Sequence, residues 1–249
     1  MLLEFIYKNT TNIKLNIKIF KKKYKMSPLK KRIPLLMFFI IFSIIFIAIA
    51  FQLLSPKKTL KIFNPVDVNP DLVDSTVQHI SKYHTIAPFR FVNQNGDTIT
   101  EKDYEGKVYV AEFFFTTCQS ICVPMNENML LVQKAIEKNN KAKILSFTVM
   151  PEIDSVATLK KYEQKKGINS KKWNLLTGKK EAIYFLARKS FLVVKTQPNE
   201  SFYDMVHTEN FVLVDAKKRI RGFYDGTKKK EIKQLIKDIN WLTTNKDEQ

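Results

Sequence analysis

The sequence predicts an α/β domain with a central mixed sheet flanked by helices, preceded by one N-terminal transmembrane helix. Three observations predict it. Ile33 to Leu54 is an uncharged run of 22 residues. Val108 to Phe115 and Ala142 to Val149 are nearly continuous apolar runs of the parallel-sheet type. Between them, Ile121, Met125, Met129, Val132 and Ile136 recur at spacings of three and four, one face of a helix. Two such strands joined by a helix make a βαβ unit. The chain's two cysteines, Cys118 and Cys122, fall where the first of these strands ends and the helix begins.

The segments follow in order. Residues 1–32 hold ten Lys and Arg against one Glu, half of the net charge of +18. They read as a basic cytoplasmic segment, with Met26 a second candidate start. Residues 33–54 read as an uncleaved anchor: at ~1.5 Å per residue they reach roughly 33 Å, enough for a bilayer core of about 30 Å. A cleaved signal peptide fits less well, because the run exceeds the usual ~7–15 residues and no small-x-small site follows it. The positive flank places the N-terminus in the cytoplasm and the rest outside, on the periplasmic or outer face of a single-pass inner-membrane protein. Residues 55–76, with Pro56, Pro65 and Pro70, read as a tether.

The domain itself is expected over residues 77–244, before a polar tail at 245–249. Pro88 to Val92, the turn signal Asn95-Gly96 and Thr98 to Thr100 predict a hairpin. After the βαβ unit, with its helix expected from Cys122 to about Asn139, come a helix over Ser155 to Lys166, a strand over Trp173 to Leu176 and a helix over Lys179 to Lys189. Asn210 to Asp215 and Arg219 to Tyr224 predict a second hairpin, and Lys229 to Leu242 a closing amphipathic helix. This order gives a thioredoxin-like architecture.

Composition narrows the function. The basic N-terminal segment abuts an apolar run, so a membrane explains it better than nucleic acid. Zinc-finger spacings and interleaved basic–aromatic patches are missing from the sequence, which argues against nucleic-acid binding. The Lys-rich runs at Lys165-Lys166, Lys171-Lys172 and Lys228 to Lys230 read as solvated surface, or as docking for an acidic partner.

The cysteine pair carries the chemistry. Two cysteines four apart can ligate a metal, form a reversible disulfide or act as a staple. A staple closing so short a loop constrains the unfolded chain little. Free N–H groups at a helix start favour thiolate, which is both redox nucleophile and soft ligand. Structural zinc wants four ligands and a second Cys pair is missing, whereas copper(I) accepts two thiolates and one imidazole. Of the three histidines, His79 and His84 lie near the tether. His207 precedes the second hairpin, a loop that approaches the first helix's N-terminus in a thioredoxin-like sheet.

At Phe113-Phe114-Phe115-Thr116-Thr117-Cys118-x-x-x-Cys122 the chain resembles the Sco/SenC family, membrane-tethered thioredoxin-like proteins of cytochrome c oxidase copper-site assembly. The stretches Phe147 to Asp154, Trp173 to Gly178 and His207 to Asp215 carry the resemblance further. It implies copper as the bound metal and Cys118, Cys122 and His207 as its ligands. It also implies a metallochaperone, with enzymatic activity left open as thiol–disulfide reduction, and a partner that is a cytochrome c oxidase copper-site subunit or another periplasmic copper protein. The chain departs from the family pattern at Gln119 and Val123, where proline usually follows each cysteine, and at Met150, where aspartate usually precedes the proline.

A thiol–disulfide oxidoreductase acting on a target copper site is the alternative, with Cys118 attacking and Cys122 resolving. A peroxiredoxin-type peroxidase ranks lower, because the Pro-x-x-x-Thr-x-x-Cys pattern is missing. Met125, Met129 and Met150 read as packing residues before copper ligands. Glu112, inside the first central strand, reads either as a proton-transfer group near the thiols or as an edge or partly paired residue.

Overall fold

The structure, a computed structural model, describes residues 28–54, 59–194 and 208–245. The chain divides into two compact units, Met1–Lys58 and Thr59–Gln249. In the first, helix α1 (Pro28–Leu54) contains the stretch Ile33–Leu54, which is long and apolar enough to cross a membrane.

The second unit is built on one seven-stranded sheet. Its strands are β1 (Arg90–Asn93), β2 (Thr98–Thr100), β3 (Val108–Phe114), β4 (Ala142–Thr148), β5 (Trp173–Thr177), β6 (Asn210–Val214) and β7 (Ile220–Asp225). They lie in the order β2-β1-β5-β4-β3-β6-β7. Strands β3, β4 and β5 run parallel, and the other pairings are antiparallel. The helices are α2 (Cys122–Ala135), α3 (Val156–Lys166), α4 (Lys180–Phe185) and α5 (Lys229–Thr244). This is the mixed, helix-flanked sheet that the sequence predicts.

All seven residues of β3 are buried, as a strand with neighbours on both edges and cover on both faces must be. Alternation sends Val108, Val110 and Phe114 toward the layer of α2 and α5, where Met125, Met129 and Val132 meet Leu235 and Ile239. Tyr109, Ala111 and Phe113 face the other layer. There Phe113 stacks on Phe147 at 5.3 Å, and Phe89 and Phe191 meet Phe147 edge-on or tilted. Met125 and Met129 are therefore core residues, and Met150 packs against the aromatic layer.

Element ends differ from the sequence reading for local reasons. Helix α2 stops at Ala135, because Ile136 leaves helical geometry and the chain turns over residues 136–138. Ile136 stays buried, so its apolar spacing prolonged the expected helix. The helix expected over Lys179 to Lys189 is split. Beyond α4 the backbone widens to π geometry over Leu186–Ser190, closed by Phe191 N–H donating to the Leu186 carbonyl at 2.7 Å. Ser155 caps α3 by accepting from the Thr158 N–H, and Gly167 ends that helix in the left-handed region.

Much of the stretch expected as a tether belongs to the folded unit. Phe63 bridges to Ile220, Pro65 and Val73 are buried, and two short 3-10 turns satisfy the backbone at Pro65–Asp67 and Pro70–Leu72. Arg221 secures this segment from β7. Its guanidinium donates to the Leu60 carbonyl at 2.7 Å and to Asp215 at 2.8 Å, and Asp215 also accepts from Arg219. Both members of the Asp215–Arg221 pair are out of water. Asp215→Ala strands a buried guanidinium, a change that costs about 3–5 kcal/mol. Urea unfolding should register that loss; a change below about 1 kcal/mol would mean that the pair does not secure this segment.

Candidate metal centre

Strand β3 ends at Phe114, and eight residues later Cys122 opens α2. The turn between them carries Cys118. Its N–H donates to the Phe115 carbonyl at 3.3 Å, and the Val123 N–H donates to Ser120 as the helix begins. The two cysteines are free thiols, Cys118 partly exposed and Cys122 buried.

The pair is electrostatically unequal. Burial opposes ionisation of Cys118, but hydrogen bonds from the Cys122 thiol and from the Ser120 and Cys122 backbone N–H groups outweigh it. The result is a thiol below its ordinary range, as a helix N-terminus favours. Ser120 Oγ lies 3.7 Å from the Cys118 sulfur. Cys122 is pushed up to about 12, by burial first and then by its donation to Cys118 and the nearby Glu112. Ionisation is thus eased at Cys118 and opposed at Cys122.

A node beneath the turn sets its position. Asp154, fully buried, accepts from the Thr116 backbone N–H at 3.1 Å and from the Thr116 hydroxyl. It also accepts from the Thr148 hydroxyl at the end of β4, at 2.5 Å. The cysteine turn and the loop after β4 are therefore tied through one carboxylate. This role went unassigned at sequence level. The available signal was an aspartate a few residues past the end of a buried strand.

Glu112 is not at an edge, as one sequence reading had it. It sits in β3, between β4 and β6, and is only 4% exposed. Ser146 donates to its Oε1 at 2.6 Å, and Trp173 Nε1 donates to Ser146 Oγ at 2.7 Å. Glu112 and Cys122 line the same cavity of about 10 Å³, with Met125, Asn126 and Tyr162. Burial raises its carboxyl to about 7 despite the Ser146 bond.

Three sequence-predicted ligands were Cys118, Cys122 and His207. The first two come together, and His207 lies outside the described residues. His84 is buried and hydrogen-bonds through Nε2 to the Ser190 carbonyl at 2.8 Å, a packing role. Among the described residues, no group of three or more His, Cys, Asp or Glu gathers to hold a metal. The described part of the centre is the dithiol with its supporting carboxylates.

Two outcomes follow. Brief treatment with iodoacetamide should alkylate Cys118 before Cys122, with a rate midpoint below the ordinary ~8.5 of a thiol. Peptide mass spectrometry across pH reads this, and equal labelling would remove the asymmetry. For Glu112 the folded carboxyl binds its proton more tightly than the unfolded one, at about 7 against 4.5. Stability therefore falls as pH rises from about 4.5 to 7, by on the order of 3 kcal/mol in total. Glu112→Gln should flatten this dependence and be more stable than the native chain at pH 8. A native-like pH slope in that variant would assign the dependence to other groups.

The comparisons with known proteins cover the same segment. The SCO1/SenC family model matches residues 77–244. A SCO1 protein homolog of Bacillus subtilis is 32% identical over 163 residues, covering 65% of this chain and 84% of that protein. The solved structure of BsSco, described as having a disulfide switch and as a member of the Sco family of cytochrome c oxidase assembly proteins, is 31% identical with TM-score 0.57. That match covers 66% of this chain and 95% of BsSco. Arabidopsis thaliana ScoI, solved with copper bound, is 26% identical with TM-score 0.50, covering 62% of this chain and 98% of that one. With a strand-to-helix dithiol on a thioredoxin-like sheet, and a family model spanning almost the whole folded unit, the chain belongs to the SCO1/SenC family.

Proposed function

We propose that this protein is a membrane-anchored copper-binding metallochaperone that delivers copper to cytochrome c oxidase or matures its copper site. The observation that carries the reading is the dithiol itself: two free, hydrogen-bonded thiols at the start of α2, one ionising readily and partly exposed. Two sulfurs are a soft donor set suited to copper(I). With copper as cargo, Cys118 and Cys122 supply thiolates and His207 an imidazole. A three-ligand site suits transfer, since an incoming ligand can bind before one leaves. The copper-bound relative and the family membership support copper as the metal. Ile33–Leu54 supplies the anchor, and the basic flank before it sets the domain on the periplasmic or outer face of the inner membrane.

The inequality of the thiols supports a second reading, reduction of a target's disulfide. The Cys118 thiolate attacks one target sulfur and releases the other as a thiolate. Cys122, once deprotonated, then attacks Cys118 in the mixed disulfide and frees the second target sulfur. Two electrons pass to the target, and Cys118–Cys122 becomes the disulfide. The relative with a disulfide switch points the same way.

Titration of copper(I) against a competing chelator separates the readings, using the full chain in detergent. One tight equivalent is expected, abolished in Cys118→Ser/Cys122→Ser and weakened at least about tenfold, ~1.4 kcal/mol, in His207→Ala. Indifference to His207→Ala would remove the imidazole from the site. Affinity no better than a simple dithiol, with stoichiometric reduction of a copper-site disulfide peptide, would replace delivery by reduction.

A further inference from the structure

The sheet has two chemically different poles. The C-terminal ends of β3 and β4 carry the dithiol turn and Asp154. The opposite pole gathers the N-terminal ends of β3, β4 and β5 with the turn between β6 and β7, since Val108 pairs with Ala142, Ile144 with Trp173, and Tyr109 with Val214. Lys107, Lys141, Lys143, Lys171, Lys172 and Lys217 flank those starts and that turn. Lys107 and Lys172 each cap a carbonyl of the turn between α2 and β4, at Asn140 and Asn139. Burial, then the Lys143 and Lys107 charges, hold Lys172 below the usual ammonium range, which marks the three as close neighbours. The acidic groups there are few. Glu105 and Glu137 are exposed, as is Asp97 in the turn after β1, which accepts from Asn93; Asp67 pairs with Lys61 at 2.9 Å, and Asp215 is engaged by Arg219 and Arg221.

The domain's chain also starts at this pole. Leu60 accepts from Arg221, and the Phe63 N–H donates to Ile220, both at the beginning of β7. In sequence only residues 55–58 separate Thr59 from the end of the apolar helix at Leu54. Five Cα steps span at most about 18 Å. The dithiol pole lies one strand further on, roughly 23 Å for seven residues.

We infer that the lysine-rich pole docks on anionic lipid headgroups of the membrane that holds the apolar helix, which turns the dithiol pole away from the bilayer toward its partner. The inference rests on the anchor reading above. Docking brings the lysines within a Debye length of the surface, about 8–10 Å, where anionic headgroups attract them. The short stretch before Thr59 favours lipid over a soluble acidic protein, because it keeps this pole beside the bilayer.

The test is lysine acylation of the full chain reconstituted into vesicles, read residue by residue by mass spectrometry. Vesicles are phosphatidylcholine alone or with 30% phosphatidylglycerol, and alkaline carbonate first checks that the protein is anchored. Acylation of Lys107, Lys141, Lys143 and Lys171 should slow at least threefold on the anionic vesicles and recover in 0.5 M salt. Lys179 and Lys229, near the dithiol pole, should react alike on both. The variant Lys141→Glu/Lys171→Glu/Lys217→Glu, with all three positions exposed, should lose most of the difference. Anchored protein with equal acylation on both vesicles, or protection at Lys179 and Lys229 instead, overturns the proposal alone. Release by carbonate overturns it together with the anchor reading.

Discussion

Strand β3 is the constraint on which the molecule depends. Its residues are shielded on both faces, and its backbone pairs with β4 on one side and β6 on the other. A strand held in this way has no freedom of register, since a slip of one residue would exchange the two faces of the core. Where β3 stops, the chain must turn and start α2, and the cysteines occupy that turn. Asp154 then ties the turn to the loop after β4, so the thiols inherit the rigidity of the sheet rather than the mobility of a surface loop.

The same burial produces the chemical inequality of the pair. Cys118 lies where backbone N–H groups point outward and water still reaches, so its charge is tolerated. Cys122, the first residue of α2, lies among Phe114, Met125 and Glu112, so its charge is not. Glu112 shares that surrounding and is held toward its neutral form by the same desolvation. The buried acid and the buried thiol lie together under the cysteine turn, on the layer opposite the aromatic cluster of Phe113 and Phe147. The sheet separates the two layers, one carrying Cys122 and Glu112 and the other the aromatic cluster.

Polarity along the strands matters as much as the division into layers. Parallel strands place all their starts at one end and all their finishes at the other. Here the starts carry lysines and the chain's entry, and the finishes carry sulfur. The segment from Thr59 to Val73 begins at that entry, where Arg221 holds the Leu60 and Lys61 carbonyls, and it packs on the folded unit rather than serving as a free spacer.

The sequence by itself determined the sheet-and-helix order, the apolar N-terminal helix and the cysteine turn. Those signals are local: contiguous apolar runs, a period of three to four, and two cysteines four apart in the chain. It also carried the family likeness, through motifs that keep their order. Only the tertiary structure decided that Glu112 is central rather than at an edge, since strand order is set by long-range pairing that no single strand displays. The same holds for the packing of residues 59–76, whose prolines and lack of period read as a tether until Phe63, Pro65 and Val73 find partners far along the chain. Asp154 belongs with them. Its meaning lies in contacts with Thr116 and Thr148, and hydrogen bonds between segments brought together by folding leave no periodic trace in the sequence.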